Sequence, residues 1–201
     1  MTEHQQSVWE DEIQEAFFEF LEAYKTLSYE NLFEEAVWKN NGYSALSNAS
    51  EELQADKDVV LAAVNQDSGG LSALEYASKE LQADKEVVMA AVKNDGHALK
   101  CASEELRADK EVVLEAVKNS GIWESALKYA SDELKGGPDF ILAAVQKNGR
   151  ALKQASEEFK GNKDIVLAAV NNDSGALDYA SKELQADKEV VIAAVKQDKY
   201  V

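Results

Sequence analysis

The sequence predicts an all-α protein, an α-solenoid of six tandem two-helix repeats of about 25 residues with a helical cap at its N-terminal end. Three observations carry that prediction. The segment Tyr76 to Val88 reads YASKELQADKEVV and recurs letter for letter at Tyr179 to Val191. A pattern Ala-Leu-x-x-Ala-Ser-x-Glu-(Leu/Phe), a short hinge and an apolar run ending in Ala-Val starts at Ala45, Ala73, Ala98, Ala126, Ala151 and Ala176. At one place in every unit stands a residue suited to a helix start: Asp56, Asp84, Asp109, Gly137, Asn162 and Asp187. Units this short cannot bury an apolar face alone and must share it with their neighbours.

Residues 1–44 are expected to form the cap and a degenerate half-repeat, and residues 45–201 the six repeats, all in one continuous body. Ser7 and Glu10 make a capping box, and Trp9, Ile13, Phe17, Phe20, Leu21 and Tyr24 then share one helical stripe. Ser28 to Gly42 reads as a worn second half, with Leu32, Phe33, Ala36 and Val37 in the apolar places.

Within a unit, Leu46, Ala49, Ser50 and Leu53 fall at i, i+3, i+4 and i+7, one face of a helix. The serine that recurs at 50, 78, 103, 131, 156 and 181 is expected on this core face, its hydroxyl bonded to the carbonyl four residues back. The second half starts on the capping residue, whose side-chain oxygen accepts an orphaned backbone N–H. Gly137 lacks such an oxygen but is followed by Pro138, a residue favoured at the first helical position. Runs such as Val-Val-Leu-Ala-Ala-Val cover every direction around a helix and predict an inner helix buried all round. A buried strand in a leucine-rich-repeat-like solenoid is the alternative. The capping residues, the Ala-Ala pairs and glycines such as Gly96, Gly121 and Gly149 past the helix ends favour the helix.

Successive starts lie 28, 25, 28, 25 and 25 residues apart, so units tend to alternate. Two residues after the core leucine come Asn48, Tyr76, Cys101, Tyr129, Gln154 and Tyr179. That place is about 200° around a helix from the leucine, which predicts a ridge of Tyr76, Tyr129 and Tyr179 pointing away from the hairpin core.

Ala-Leu-Lys-Tyr-Ala-Ser-Asp-Glu-Leu (Ala126 to Leu134), taken with Asp-Lys-Glu-Val-Val-Leu (Asp109 to Leu114), resembles an uncharacterised tandem helical repeat of large protist and viral proteins and some bacterial effectors. That family carries a domain-of-unknown-function label, and the resemblance runs over about residues 28 to 198. It implies helical repeats and brings no catalytic residues with it.

Composition limits function more than it defines it. A net charge of −17 across 201 residues disfavours nucleic acid and anionic membranes, which need clustered Lys and Arg, and favours a basic partner. An acidic surface also keeps a long solenoid in solution. The single cysteine, Cys101, excludes an internal disulfide, and the first residues, MTEHQQSVWEDE, do not read as a signal or transit sequence, so a cytoplasmic location is expected. No apolar run approaches the roughly 20 residues of a membrane helix.

Catalytic, cofactor and metal sites are not expected. A serine present in every unit serves stacking, His97 and Cys101 alone do not make a zinc site, and Asn65 to Gly69 and Asn171 to Gly175 fail the pattern of a calcium loop. The candidates for partner contact are Tyr76, Tyr129, Tyr179, Cys101, Phe18 and Trp123. The expected function is a non-enzymatic protein-interaction scaffold with an acidic, tyrosine-bearing surface. The alternatives are a structural subunit that stacks through the C-terminal end, where Val190 to Val195 has no following unit, and a repeat module of a longer effector-type protein. Weak self-association through that end is the corresponding expectation.

Overall fold

The computed structural model describes residues 42–66, 73–121 and 125–197. These residues hold six long helices: α1 (Lys57–Asn65), α2 (Lys85–Asn94), α3 (Lys110–Lys118), α4 (Pro138–Lys147), α5 (Lys163–Asn172) and α6 (Lys188–Gln197). Each packs on the next in sequence, and the substantial contacts all join elements of one unit or of adjacent units. Among the described residues there is no strand. The fold is thus an all-α, solenoid-like stack in which residues 41–201 form one compact unit. The expected N-terminal cap, with Phe18, lies outside the described residues.

The long helices start where the capping residues stand. Asp84 Oδ1 accepts from the N–H groups of Glu86 (2.9 Å) and Val87 (3.1 Å), and Asp56, Asp109, Asn162 and Asp187 repeat the arrangement. Such a cap is worth about 1 kcal/mol. α4 starts on Gly137 without a side-chain bond and has Pro138 as its first residue.

The first half of the unit departs from the expected single helix. In units 2 to 6 it is a 3-10 helix of four or six residues, then two extended residues, then one α-helical turn; Gly96–Cys101, Ala102 and Ser103, and Glu104–Arg107 are an example. The serines cause the break. Ser103 takes an extended φ of −59° and ψ of 162°, and its Oγ accepts from the N–H of Leu106 at 3.4 Å, so it starts the second piece as an N-cap. The same holds at Ser50, Ser78, Ser131, Ser156 and Ser181. The hydroxyls therefore do not bond back to a carbonyl four residues earlier. Glu80, Glu105 and Glu183 complete the turn: their own backbone N–H and then the serine hydroxyl hold them below the usual carboxylate range.

Because the backbone is extended at the serine, its N–H is free to bond across the joint. Ser78, Ser103, Ser131 and Ser181 donate to the carbonyls of Gln54, Gln82, Arg107 and Lys160 of the preceding unit, each at 2.9 Å. The buried Gln82 side chain locks the 3-10 turn of its own unit, donating to the carbonyls of Leu74, Glu75 and Ala77 at 3.0 to 3.2 Å.

The leucine of the Ala-Leu pair anchors the core in the first five units, where Leu46, Leu74, Leu99, Leu127 and Leu152 are fully buried, while Leu177 of the sixth is half-buried. Each fully buried leucine contributes about 1.5–3 kcal/mol of apolar burial. The alternating period also has a structural cause. The 25-residue spacings end in a compact turn, where Asp95, Asn148 or Asp173 caps a six-residue 3-10 helix. The 28-residue spacings lead into four-residue 3-10 helices, Ala73–Tyr76 and Ala126–Tyr129. Gly96 and Gly149 lie in the compact turns for close approach and not for a left-handed backbone. A Cβ on Gly96 would collide with the backbone carbonyl of Ala116, and one on Gly149 with that of Ala169.

Candidate protein-interaction surface

The apolar run of the long helix does not bury all round. In α2, Val87, Val88, Ala91 and Val92 are buried while Met89 and Ala90 are partly open. α3, α4 and α5 divide in the same way, and every long helix places an aliphatic side chain at this position of the open face: Leu61, Met89, Leu114, Leu142, Leu167 and Ile192. Ile192 is 42% exposed and the others of this row are half-buried. The residue after each is alanine except in unit 3, where Glu115 stands. Beside the row, α1 adds half-buried Val59, and α6 adds half-buried Val191 and exposed Val195.

Three residues before this row, one turn along the same helical face, lies an exposed acidic row: Asp58, Glu86, Glu111, Asp139, Asp164 and Glu189. Part of it is neutralised across the joints. Lys57 Nζ reaches Asp84 and Glu86, both at 2.8 Å, and Lys85 reaches Asp109 (2.9 Å) and Glu111 (2.8 Å). Lys163 reaches Asp187 and Glu189, both at 2.9 Å. The Asp84 and Glu86 bonds push Lys57 up to about 12. Asp84 and Asp187 are held below the usual carboxylate range, first by their lysine bonds. At Asp109 burial works against ionisation, but Lys85 and the cap bonds still leave it lowered.

The middle of the stack lacks these bridges. Gly137 offers Lys110 no cap carboxylate, and Pro138 stands where a lysine would face Asn162 and Asp164. Among the described residues, Asp139 and Asp164 make no ion pair, and both are exposed. A groove between α4 and α5 is lined by Leu142, Gln146, Asp164, Leu167, Ala168 and Asn171, as well as Asn172. Asp164 is the one charged group among them. The neighbouring groove between α5 and α6 carries Lys163, Lys188 and Lys196 beside Asp187 and Glu189.

The tyrosine places end the 3-10 helices. Tyr76, Tyr129, Tyr179 and Cys101 are half-buried and packed against the core, so the expected outward ridge is only partly open. Neighbouring units cover it. Lys153 Nζ lies 5.9 Å from the ring centre of Tyr179, the His97 ring meets Tyr129 edge-on at 6.4 Å, and Lys100 reaches Glu75 at 3.6 Å. Lys128 adds a cation over Tyr129 at 4.6 Å. Burial pushes the Cys101 thiol up, with Lys100 acting in the opposite sense, which disfavours the reactive thiolate. His97 Nδ1 lies 3.0 Å from Asp95 Oδ1. Trp123 lies outside the described residues, as Phe18 does.

The expectation of a run buried on every side overlooks this open aliphatic row. Glu115 was the available signal, since a carboxylate in the middle of such a run requires a solvent-facing position.

A family model described as a domain of unknown function, DUF4116, matches residues 39–82, 84–135, 109–160, 138–185 and 162–201. Four of these matches begin on or beside the start of a long helix, at Asp84, Asp109, Pro138 and Asn162. No curated protein matches the chain. No solved structure matches it either.

Proposed function

This chain belongs to the DUF4116 family, a helical tandem repeat of unknown function, and we propose that it is a non-enzymatic scaffold that binds a protein partner along the open face of its long helices. The observation that supports this reading is the aligned row Leu61, Met89, Leu114, Leu142, Leu167 and Ile192, one side chain per unit. Side chains on a regular stack give a long contact surface whose spacing is set by helix packing, about 8 to 10 Å per unit. The tyrosines are the weaker anchors, because all three are half-buried and the rings of Tyr129 and Tyr179 already meet a neighbouring unit. Among the described residues no helix is long and apolar enough to cross a membrane; a cytoplasmic location is part of the proposal.

The test is affinity capture from the source cells with a Met89→Ser, Leu114→Ser, Leu142→Ser variant beside a Tyr76→Ser, Tyr129→Ser, Tyr179→Ser variant. Capture should fail for the first and survive in the second whenever the second remains folded by circular dichroism. Undiminished capture by a folded first variant would remove the open face from consideration.

A second reading, stacking of one copy on another, draws on α6. Val195 is 64% exposed, whereas Val92, Val117, Val145 and Val170 in the equivalent places are fully buried by a following unit. Sedimentation should then show concentration-dependent association that Val195→Lys relieves.

A further inference from the structure

The open face is not uniform, and the non-uniformity says where a partner docks and what chemistry it brings. We infer that the groove between α4 and α5 is the docking centre for a cationic, amphipathic segment of a protein partner, which lays an aliphatic side chain on Leu142 and Leu167 and a Lys or Arg against Asp164 and Asp139. This inference rests on the scaffold reading and adds to it a place and a charge.

Two independent features meet there. The first is the apolar floor, since Leu142, Leu167 and Ala168 line the groove and none is fully covered. The second is uncompensated charge. In the flanking units the equivalent carboxylates Glu86, Glu111 and Glu189 each hold a lysine of the preceding unit at 2.8 or 2.9 Å. Asp139 and Asp164 hold none among the described residues, because Gly137 and Pro138 interrupt the Lys-to-cap register on both sides. An external cation can therefore pair with them without displacing an internal one, which makes that pairing more favourable here than at Glu86 or Glu189. The amides of Gln146 and Asn171 at the rim supply hydrogen-bond donors and acceptors of neutral charge. The adjacent α5–α6 groove sets three lysines against Asp187 and Glu189, which Lys163 already holds, so it offers the same partner less uncompensated negative charge. An anionic partner is disfavoured by the net charge of −17.

The probe is a fluorescein-labelled helical peptide of leucine and lysine with its leucines on one face, titrated by anisotropy against the full chain, with a leucine and glutamate peptide as control. The leucine and lysine peptide should bind and the control should not. Asp139→Asn with Asp164→Asn should weaken binding roughly tenfold, equivalent to about 1.4 kcal/mol shared by two exposed pairs. Glu86→Gln with Glu189→Gln should change it less than twofold. Equal losses in the two charge variants would mean diffuse attraction to an acidic surface and would overturn the inference. Loss of binding in Leu142→Ser with Leu167→Ser, but none in the aspartate variant, would keep the scaffold face and overturn the cationic partner. No loss in the leucine variant would overturn both.

Discussion

The flanks and the middle of this stack are built from the same unit but joined differently. Between units 1 and 2, 2 and 3, and 5 and 6, a lysine at the start of one long helix bonds the cap aspartate and the following glutamate of the next. At the two joints of unit 4, Gly137 and Pro138 replace the acid and the lysine, and no such bridge is made. Yet the core passes through both regions without a change: Val113, Ile141 and Val166 are all fully buried. Backbone approach and apolar packing therefore carry the joints, and the bridges tune them. What the missing bridges alter is the surface, where Asp139 and Asp164 have no ion pair among the described residues and can pair with another molecule.

The largest test of that view uses the compact turns, one at a bridged joint and one at an unbridged joint. Gly96→Ala and Gly149→Ala should each cost about 3 kcal/mol, because the added methyl meets a carbonyl that cannot move without shifting a long helix. Urea unfolding should give similar losses for both. A much smaller loss at Gly149 would mean that the middle is loosely joined and would break the comparison.

A smaller effect separates the caps. Asp84→Ala should lose about 1 kcal/mol for the cap alone, and more than Asn162→Ala, since Asp84 also holds Lys57. Equal losses in thermal unfolding would show that the bridge contributes nothing, as many exposed pairs do.

The pH dependence follows from the same groups. Asp84, Asp109 and Asp187 have lowered values in the folded chain. Their contribution is fully present above the unfolded value of about 4 and disappears as pH falls through the lower folded values. Lys57 acts at the other end, contributing fully below its unfolded value near 10.4 and losing that contribution as pH rises through about 12. Stability measured by urea at pH 6 and pH 3 should therefore differ more for the native chain than for Asp84→Asn, Asp109→Asn, Asp187→Asn, which keeps the cap oxygens but not the charges. Identical differences would assign the acid sensitivity to other carboxylates.

The smallest effect is a gain. Gly137→Asp would supply a cap oxygen and offer Lys110 a carboxylate, at a site where an added Cβ finds ordinary contact distances. Replacing glycine at a cap is worth a few tenths of a kcal/mol, and the thermal midpoint should rise slightly. A fall would show that the backbone at Gly137, at φ −89° and ψ 115°, serves some purpose that the cap does not explain.

By itself the sequence determined the repeat register, the helical class and the caps of the long helices. These follow from short-range chemistry, an Asp or Asn oxygen two or three residues from the N–H groups it caps, and from copies that agree. The N-cap role of the serines was equally local, with acidic residues such as Glu104 and Glu105 in the turn that follows, but the helical spacing of Leu46, Ala49, Ser50 and Leu53 concealed it. Tertiary structure alone decided the rest. Which side of Val-Val-Leu-Ala-Ala-Val meets solvent depends on where the adjacent helices lie, and apart from Glu115 in unit 3 a run apolar in every direction carries no sign of it. Whether a tyrosine such as Tyr129 or Tyr179 points outward or covers a joint depends on a histidine or lysine of the preceding unit, His97 or Lys153. Asp139 and Asp164 lack an ion pair among the described residues because stacking sets each cap beside the first helical residue of the preceding unit, so that Gly137 and Pro138 together interrupt both of their neighbours.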